Sequence, residues 1–230
     1  MTVLPCKKLD KAVDQAMLEW FAPLGFVRAS SGGVERWQDD RYDYLGCVVK
    51  RIGGLNRVSP FGQMGFGHIQ RLHSHFMSDD PIESNKIAVD VQLQYANFTK
   101  DWTADMRCQH EEELEAFLPQ LRSFVMDRLY PALMSYATPE QVLALYLKKN
   151  HSSPTDFDPP VWQGYNAASA LTGLILGRLH GPEHYEALKR RYAGEFADLD
   201  ADTLTRVNRL IAYLDQDNPL PDLTPNAIAA

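Results

Sequence analysis

The sequence predicts an α+β protein: an N-terminal helix, an antiparallel β-sheet and a C-terminal helical layer packed on it. Three observations predict this. The chain opens with a helical apolar stripe, the residues from Phe26 to Phe98 carry turn chemistry and two-residue alternation, and after Asp101 the apolar spacing changes to three- and four-residue steps. The regions so defined are 1–100 for helix plus sheet, 101–217 for helices, and 218–230 for a frayed tail.

Leu9, Val13, Ala16, Met17 and Trp20/Phe21 lie on one helical face, so a helix runs from about Leu9 to Ala22 and Pro23 stops it. Phe26-Val27 and Val34–Trp37 flank Ser30-Ser31-Gly32-Gly33, which predicts a hairpin. Tyr42–Ile52, rich in aromatic and β-branched residues, is a third strand closed by Gly53-Gly54. Leu55 to Gly67, with Pro60 and three glycines, reads as a loop, and alternation resumes over His68–His73 as a strand. After Ser78–Pro81, the segment Lys86–Phe98 alternates: Ile87, Val89, Val91, Leu93 and Tyr95 on a buried face, Ala88, Asp90, Gln92 and Gln94 on a wet one.

Glu111 to Leu129 has helical spacing with acidic residues in the first turn, where the helix dipole favours them. Thr138-Pro139-Glu140-Gln141 supplies an N-cap, a first-position proline and a capping-box glutamine for a helix reaching about Lys149. Asn150–Pro160 is a linker before a helix over Val161–His180, whose apolar run Ala167–Gly177 is too short to span a bilayer and reads as buried. Gly181 offers a C-terminal cap and Pro182 starts the next helix. Asp198, Asp200 and Asp202 are capping candidates for a last helix, Ala201–Gln216, striped by Leu204, Val207, Ile211 and Leu214.

At 230 residues, 45% hydrophobic and 23% charged, the chain can bury a sizeable core and is neither disordered nor fibrous. Cys6, Cys47 and Cys108, odd in number and widely spaced, argue against a disulfide framework and a four-ligand zinc site; with no apolar leader before the first charged residues, the expected location is the cytoplasm. Residues 1–100 hold 12 basic and 11 acidic residues, net +1, whereas 101–230 hold 11 and 19, net −8. That acidity disfavours a phosphate backbone and favours a basic protein partner.

No phosphate loop or activated nucleophile stands out, and no resident cofactor is expected. Gly62-Gln-Met-Gly65-Phe-Gly67 lacks Lys-Ser/Thr and reads as preceding an extended segment. Cys47 sits in an apolar strand, and Cys108 with His110 is a weak pair. Arg36, Arg41, Lys50, Arg51, Arg57 and Arg71 interleave with Trp37, Tyr42, Tyr44 and Phe61, but Glu35, Asp39, Asp40 and Asp43 offset them, so a mixed-charge surface is expected rather than a single-strand RNA platform. His68, His73 and His75 form the local histidine cluster. On a strand His73 and His75 would share a face, as metal ligands could, with Asp90 or His110 completing a site. The acidic run Glu195, Asp198, Asp200 and Asp202, flanked by Trp162, Tyr165 and Tyr192, reads as a contact surface for a basic partner.

The order of a short helix, Phe21-Ala-Pro-Leu-Gly-Phe26, a turn, Arg36-Trp37 and successive strands resembles a bacterial domain family of uncharacterised proteins whose members occur among the immunity proteins of polymorphic-toxin systems. The resemblance covers about residues 9–98 and transfers no catalytic residue. It implies a non-enzymatic protein that neutralises a cognate toxin, through the acidic surface on this reading. The alternatives are a metal-dependent hydrolase using His68, His73 and His75, and an adaptor or dimerisation module built from the helix pairs.

Overall fold

Apolar residues at positions 9, 13, 17 and 21 fall on one side of a helix, and in the computed structural model, which describes residues 2–77, 90–99, 105–148, 167–197 and 199–216, Leu9, Val13, Ala16, Met17 and Phe21 are the buried face of α1 (Cys6–Phe21). A single 3-10 turn, Ala22–Leu24, and left-handed Gly25 end it. The fold is α+β, as expected from sequence. The expected linker Asn150–Pro160, the tail from Asn218, and Ile87, Val89, Trp162 and Tyr165 lie outside the described residues.

By their contacts the described residues form two units, one within Met1–Met64 and Val91–Tyr136, the other within Gly65–Asp90, Ala137–Ser152 and Gln163–Ala230. The first contains an antiparallel sheet of β1 (Val27–Arg28), β2 (Val34–Gln38), β3 (Arg41–Ile52), β4 (Leu55–Phe66, to Met64), β5 (Val91–Gln94) and β6 (Met106–Arg107). The order is β1-β2-β3-β4-β5, with β6 also on β4. The expected hairpin is present, with Val27 opposite Glu35 and Arg28 opposite Val34.

β4 replaces the loop expected after Gly54. Its alternation is concealed by its inward residues: Asn56, Val58, Pro60, Gly62 and Met64 are buried while Arg57, Ser59, Phe61 and Gln63 face outward. Asn56 donates its side-chain amide to the carbonyls of Leu4 (2.7 Å) and Cys108 (3.2 Å), and Gln109 closes a two-way bond with its backbone at 2.8 Å each way, so the donors of a polar residue are engaged in the core. Pro60 falls between the pairing with β6 (Arg57, Val58) and that with β5 (Phe61 to Met64), where a missing N–H is tolerated. A Cβ on Gly62 would lie 3.1 Å from Leu45 and 3.3 Å from Leu133, because helices cover that face.

The cover is α1 together with α4 (Leu114–Phe124), a π-helical turn (Val125–Leu129) and α5 (Tyr130–Met134), after α3 (Tyr95–Thr99). Phe21, Phe26 and Tyr130 meet edge to face at 5.3–5.9 Å. The helix begins with Glu111–Glu113, as expected. The expected strand beyond Gln94 instead becomes α3, because Asn97 reaches back to accept from the Gln94 N–H at 2.6 Å, the side chain-to-backbone half of a capping box.

The second unit holds α2 (Gly67–Met77), α6 (Pro139–Leu147), α7 (Ala167–His180), α8 (Pro182–Tyr192) and α9 (Ala201–Leu214). The expected capping box of α6 forms: Thr138 Oγ1 accepts from the Gln141 N–H, and Gln141 Oε1 accepts from the Thr138 N–H. Leu171, Leu174, Ile175 and Leu176 of α7 are buried, as the apolar run implied. Gly181 is extended rather than left-handed, and its missing side chain makes room for Leu143. Arginines close helix ends that would otherwise leave carbonyls orphaned: Arg191 donates to Tyr146 O (2.6 Å), Arg178 to Leu214 O (2.6 Å) and Arg206 to Met77 O (3.0 Å).

Candidate functional site

Alternation puts Phe61 and Gln63 of β4 on the face opposite Gly62, away from α4 and α5. On that face β3, β4 and β5 frame a shallow groove of about 640 Å³. Val48 and Ile52 of β3 and Phe61 of β4 give it an apolar floor; Gln63, Gln92 and Gln94 give one wall of amides, and Lys50 and Arg57 give it positive charge. Gln63 stands opposite Gln92 in the register and donates to its Oε1 at 3.3 Å. Arg57 is anchored by Asp105 at 2.9 Å, and Arg107, paired with Arg57 across the strands, reaches the same carboxylate at 3.4 Å.

Toward β2 the floor continues as aromatic rings. Tyr44 lies 5.5 Å from Phe61, and Trp37 lies 5.0 Å from its cross-strand partner Tyr42. Trp37 is 52% exposed and Ile52 49% exposed, so large apolar surface faces solvent at both ends. Tyr42 donates to Glu35 Oε2 at 3.1 Å, and Tyr44 to Gly32 O at 2.7 Å; burial raises both phenols above their ordinary range. Neither is a base in this setting.

The basic and aromatic residues noted in the sequence therefore separate. Lys50, Arg57, Trp37, Tyr42, Tyr44 and Phe61 share the groove face, while Arg36 and Arg41 turn to Asp43 at 2.7 Å each and Arg71 lies on α2. Gln92 and Gln94 were expected on the wet face and are there. Asp90 was expected with them and is instead 2% exposed, its Oδ2 accepting from the Phe66 N–H at 2.8 Å. That carboxylate sits at the N-terminus of α2, where the helix dipole favours it. The glycines at 65 and 67 thus lead into a helix and not an extended segment, with Asp90 occupying the place an anion would take.

The histidine cluster does not form as a strand. His68, His73 and His75 all lie on α2, where residues two apart point in different directions. His73 Nε2 is buried without a hydrogen-bond partner among the described residues, and burial lowers its titration, whereas His75 is exposed. Among the described residues no three His, Cys, Asp or Glu side chains gather as a metal site. His68 instead meets His180 at the end of α7, Nε2 to Nε2 at 2.9 Å, and Nδ1 of His180 meets Glu140 Oε1 of α6 at 3.1 Å. His180 is 112 residues from His68 and 40 from Glu140 in sequence, and no local spacing signals either contact.

Of the acidic run, Asp202 is exposed, Glu195 is half-buried and Asp198 lies outside the described residues. Asp200 is engaged as the N-cap of α9: its Oδ1 accepts from the N–H groups of Asp202 (3.1 Å) and Thr203 (3.0 Å) and its Oδ2 from Thr203 Oγ1 (2.7 Å), and the bonds from Thr203 hold its carboxyl below the ordinary value. Asp200→Ala should lower the melting temperature measured by circular dichroism, while Asp202→Ala should leave it unchanged; equal melting curves would show that the cap contributes nothing.

Cys6, Cys47 and Cys108 are free thiols. Burial pushes the Cys108 thiol up to about 11 and Cys47 higher still, so neither is a ready nucleophile at neutral pH. No helix among the described residues is long and apolar enough to cross a membrane. Comparison with protein-family models, with curated proteins and with solved structures returns no match.

Proposed function

We propose that the chain is a partner-binding protein of the immunity type, which silences a cognate toxin by covering it, and that the groove face of its sheet is the binding surface. The observation that carries the reading is the groove: an apolar floor of Val48, Ile52 and Phe61 beside the amides of Gln63, Gln92 and Gln94, open to solvent. Protein interfaces combine apolar anchors with hydrogen-bonding groups in this way, and exposed aromatic and aliphatic side chains clustered on one face are their usual mark.

Lys50, Arg57 and Arg107 outnumber Asp105 on this face, so the partner that fits presents a carboxylate-bearing loop. The groove carries the reading better than the acidic stretch, where Asp200 is engaged in capping. The resemblance over residues 9–98 supports the immunity assignment, and the free thiols support action in a reducing cytoplasm.

The test is co-expression of this chain with each protein encoded beside its gene, scored by colony formation. One neighbour should arrest growth alone and be tolerated with the chain present. Ile52→Asp and Lys50→Glu should each reduce that protection at least about tenfold with an unchanged melting temperature, whereas Asp202→Lys should not. The proposal fails if no neighbour is neutralised, or if protection survives both groove variants.

A further inference from the structure

His68 opens α2, His180 closes α7 and Glu140 opens α6, so three helices of the second unit converge on one chain of side chains. The two imidazoles meet end to end: their Nε2 atoms are 2.9 Å apart and their ring centroids 5.2 Å apart. Such a contact holds only if one nitrogen carries a proton and the other a lone pair. Glu140 decides which. For its carboxylate to accept from His180, the Nδ1 of His180 must carry hydrogen, so the neutral His180 presents a lone pair at Nε2 and His68 donates its Nε2–H.

We propose that the His68–His180–Glu140 chain is an acid-opened latch on α2, closed while the two imidazoles share one proton across their contact and opened when both become imidazolium. A first added proton can be held: His180 then donates from Nε2 to a His68 that has moved its own hydrogen to Nδ1, with Glu140 opposite. A second places two N–H groups and two positive charges face to face, and the contact is lost. Because the latch joins the first turn of α2 to α7, its loss frees that turn.

The surroundings set the direction of the effect. Burial lowers the titration of His180 below its ordinary value of 6.5; Glu140 works the other way, and His68 adds a smaller lowering. The unfolded chain therefore takes up the proton first as pH falls. The stability is complete above pH 6.5 and is lost progressively below it. Among the described residues the other charged groups on the surrounding elements are Arg71 and exposed His75 on α2, Asp90 beside Phe66, Arg178 donating to Leu214 O, Glu183 with His184 (3.4 Å from each other), Glu186, Lys189, Arg190 and Arg191 on α8, and Asp202, Arg206 and Arg209 on α9, where Arg206 donates to Met77 O. His73, buried on the same helix and lowered by that burial, acts in the same sense.

The experiment is nitrogen NMR of the full chain with labelled histidine, from pH 8 to 4.5, with the backbone amides of α2 followed in the same samples. At pH 8 His68 should be the Nε2–H tautomer and His180 the Nδ1–H tautomer, and His180 should titrate below its ordinary value as the α2 amides leave their folded positions. His68→Gln supplies a side chain that can donate or, turned over, accept, but never charges; it should keep α2 folded at pH values where the wild type has released it. Titration of His180 at its ordinary value, tautomers other than these, or release of α2 at the same pH in His68→Gln overturns the latch. Should His68→Gln not fold, the wild-type tautomers and titration decide alone.

Discussion

Asp43→Asn is expected to destabilise the protein by about 3–5 kcal/mol, the cost of leaving buried charge without its partner. The Asp43 side chain has 0% exposure, and both of its oxygens are engaged at 2.7 Å, one by Arg36 Nη2 and one by Arg41 Nε, side chains that are themselves only 16% and 12% exposed. The arrangement follows from the strands: Arg36 is the cross-strand partner of Asp43, and Arg41 is two residues before it on the same face. Each arginine then reaches onward. Arg36 donates to Leu24 O at 3.1 Å and lies 4.5 Å over the Phe26 ring, while Arg41 donates to Tyr136 O (3.3 Å) and Leu133 O (3.4 Å) at the end of α5. Asparagine keeps the shape and removes the charge, so two guanidiniums remain in a half-buried site with no carboxylate, and the junction of the hairpin with α5 loosens. Urea denaturation at neutral pH checks this; a loss below about 1 kcal/mol would mean that both arginines turn out to solvent at little cost.

The parts of this fold legible in sequence are those whose determinants are local. The stripe from Leu9 to Phe21, the turn glycines at 32, 33, 53 and 54, and the Thr138–Gln141 capping box are each complete within a few residues, and each forms where expected. β4 was illegible because its buried positions hold asparagine, proline and glycine, whose reasons for burial lie elsewhere: Leu4 and Cys108 for Asn56, Leu45 and Leu133 for Gly62. His68–His73 permitted a two-residue reading, since a segment this short does not separate the periods, and the helix is settled by Ile69 and Leu72 packing three apart. The candidate site divides in the same way. The outward alternation of Gln92 and Gln94 could be seen along the chain, but the outward placement of Val48, Lys50 and Ile52 and the convergence of all of them on Arg57 and Asp105 are made by strand pairing, and the contact of His68 with His180 by helix packing.

Gly33→Ala is expected to cost about 2–5 kcal/mol, as two penalties fall on one atom. Gly33 has φ +72, a left-handed conformation in which an alanine is strained by about 1–2 kcal/mol wherever it occurs. Its hydrogen also faces the neighbouring strand: a Cβ would stand 2.5 Å from Leu45 O and 3.0 Å from Gly46 Cα, and backbone cannot swing aside as the end of a side chain can. The loop has little room to retreat, because the Gly33 N–H donates to Asp14 Oδ1 of α1 at 3.1 Å and its carbonyl accepts from the Ala29 N–H at 3.2 Å. Gly54 separates the two penalties. It is equally left-handed, at φ +81, yet a Cβ there meets nothing within 4 Å, so Gly54→Ala should show the conformational cost alone. Thermal and urea unfolding of the two variants should therefore differ, with Gly33→Ala the more destabilised; equal losses would mean that the hairpin moves off β3 freely, and that the close packing of Gly33 on Leu45 and Gly46 contributes nothing to holding the first strands of the sheet.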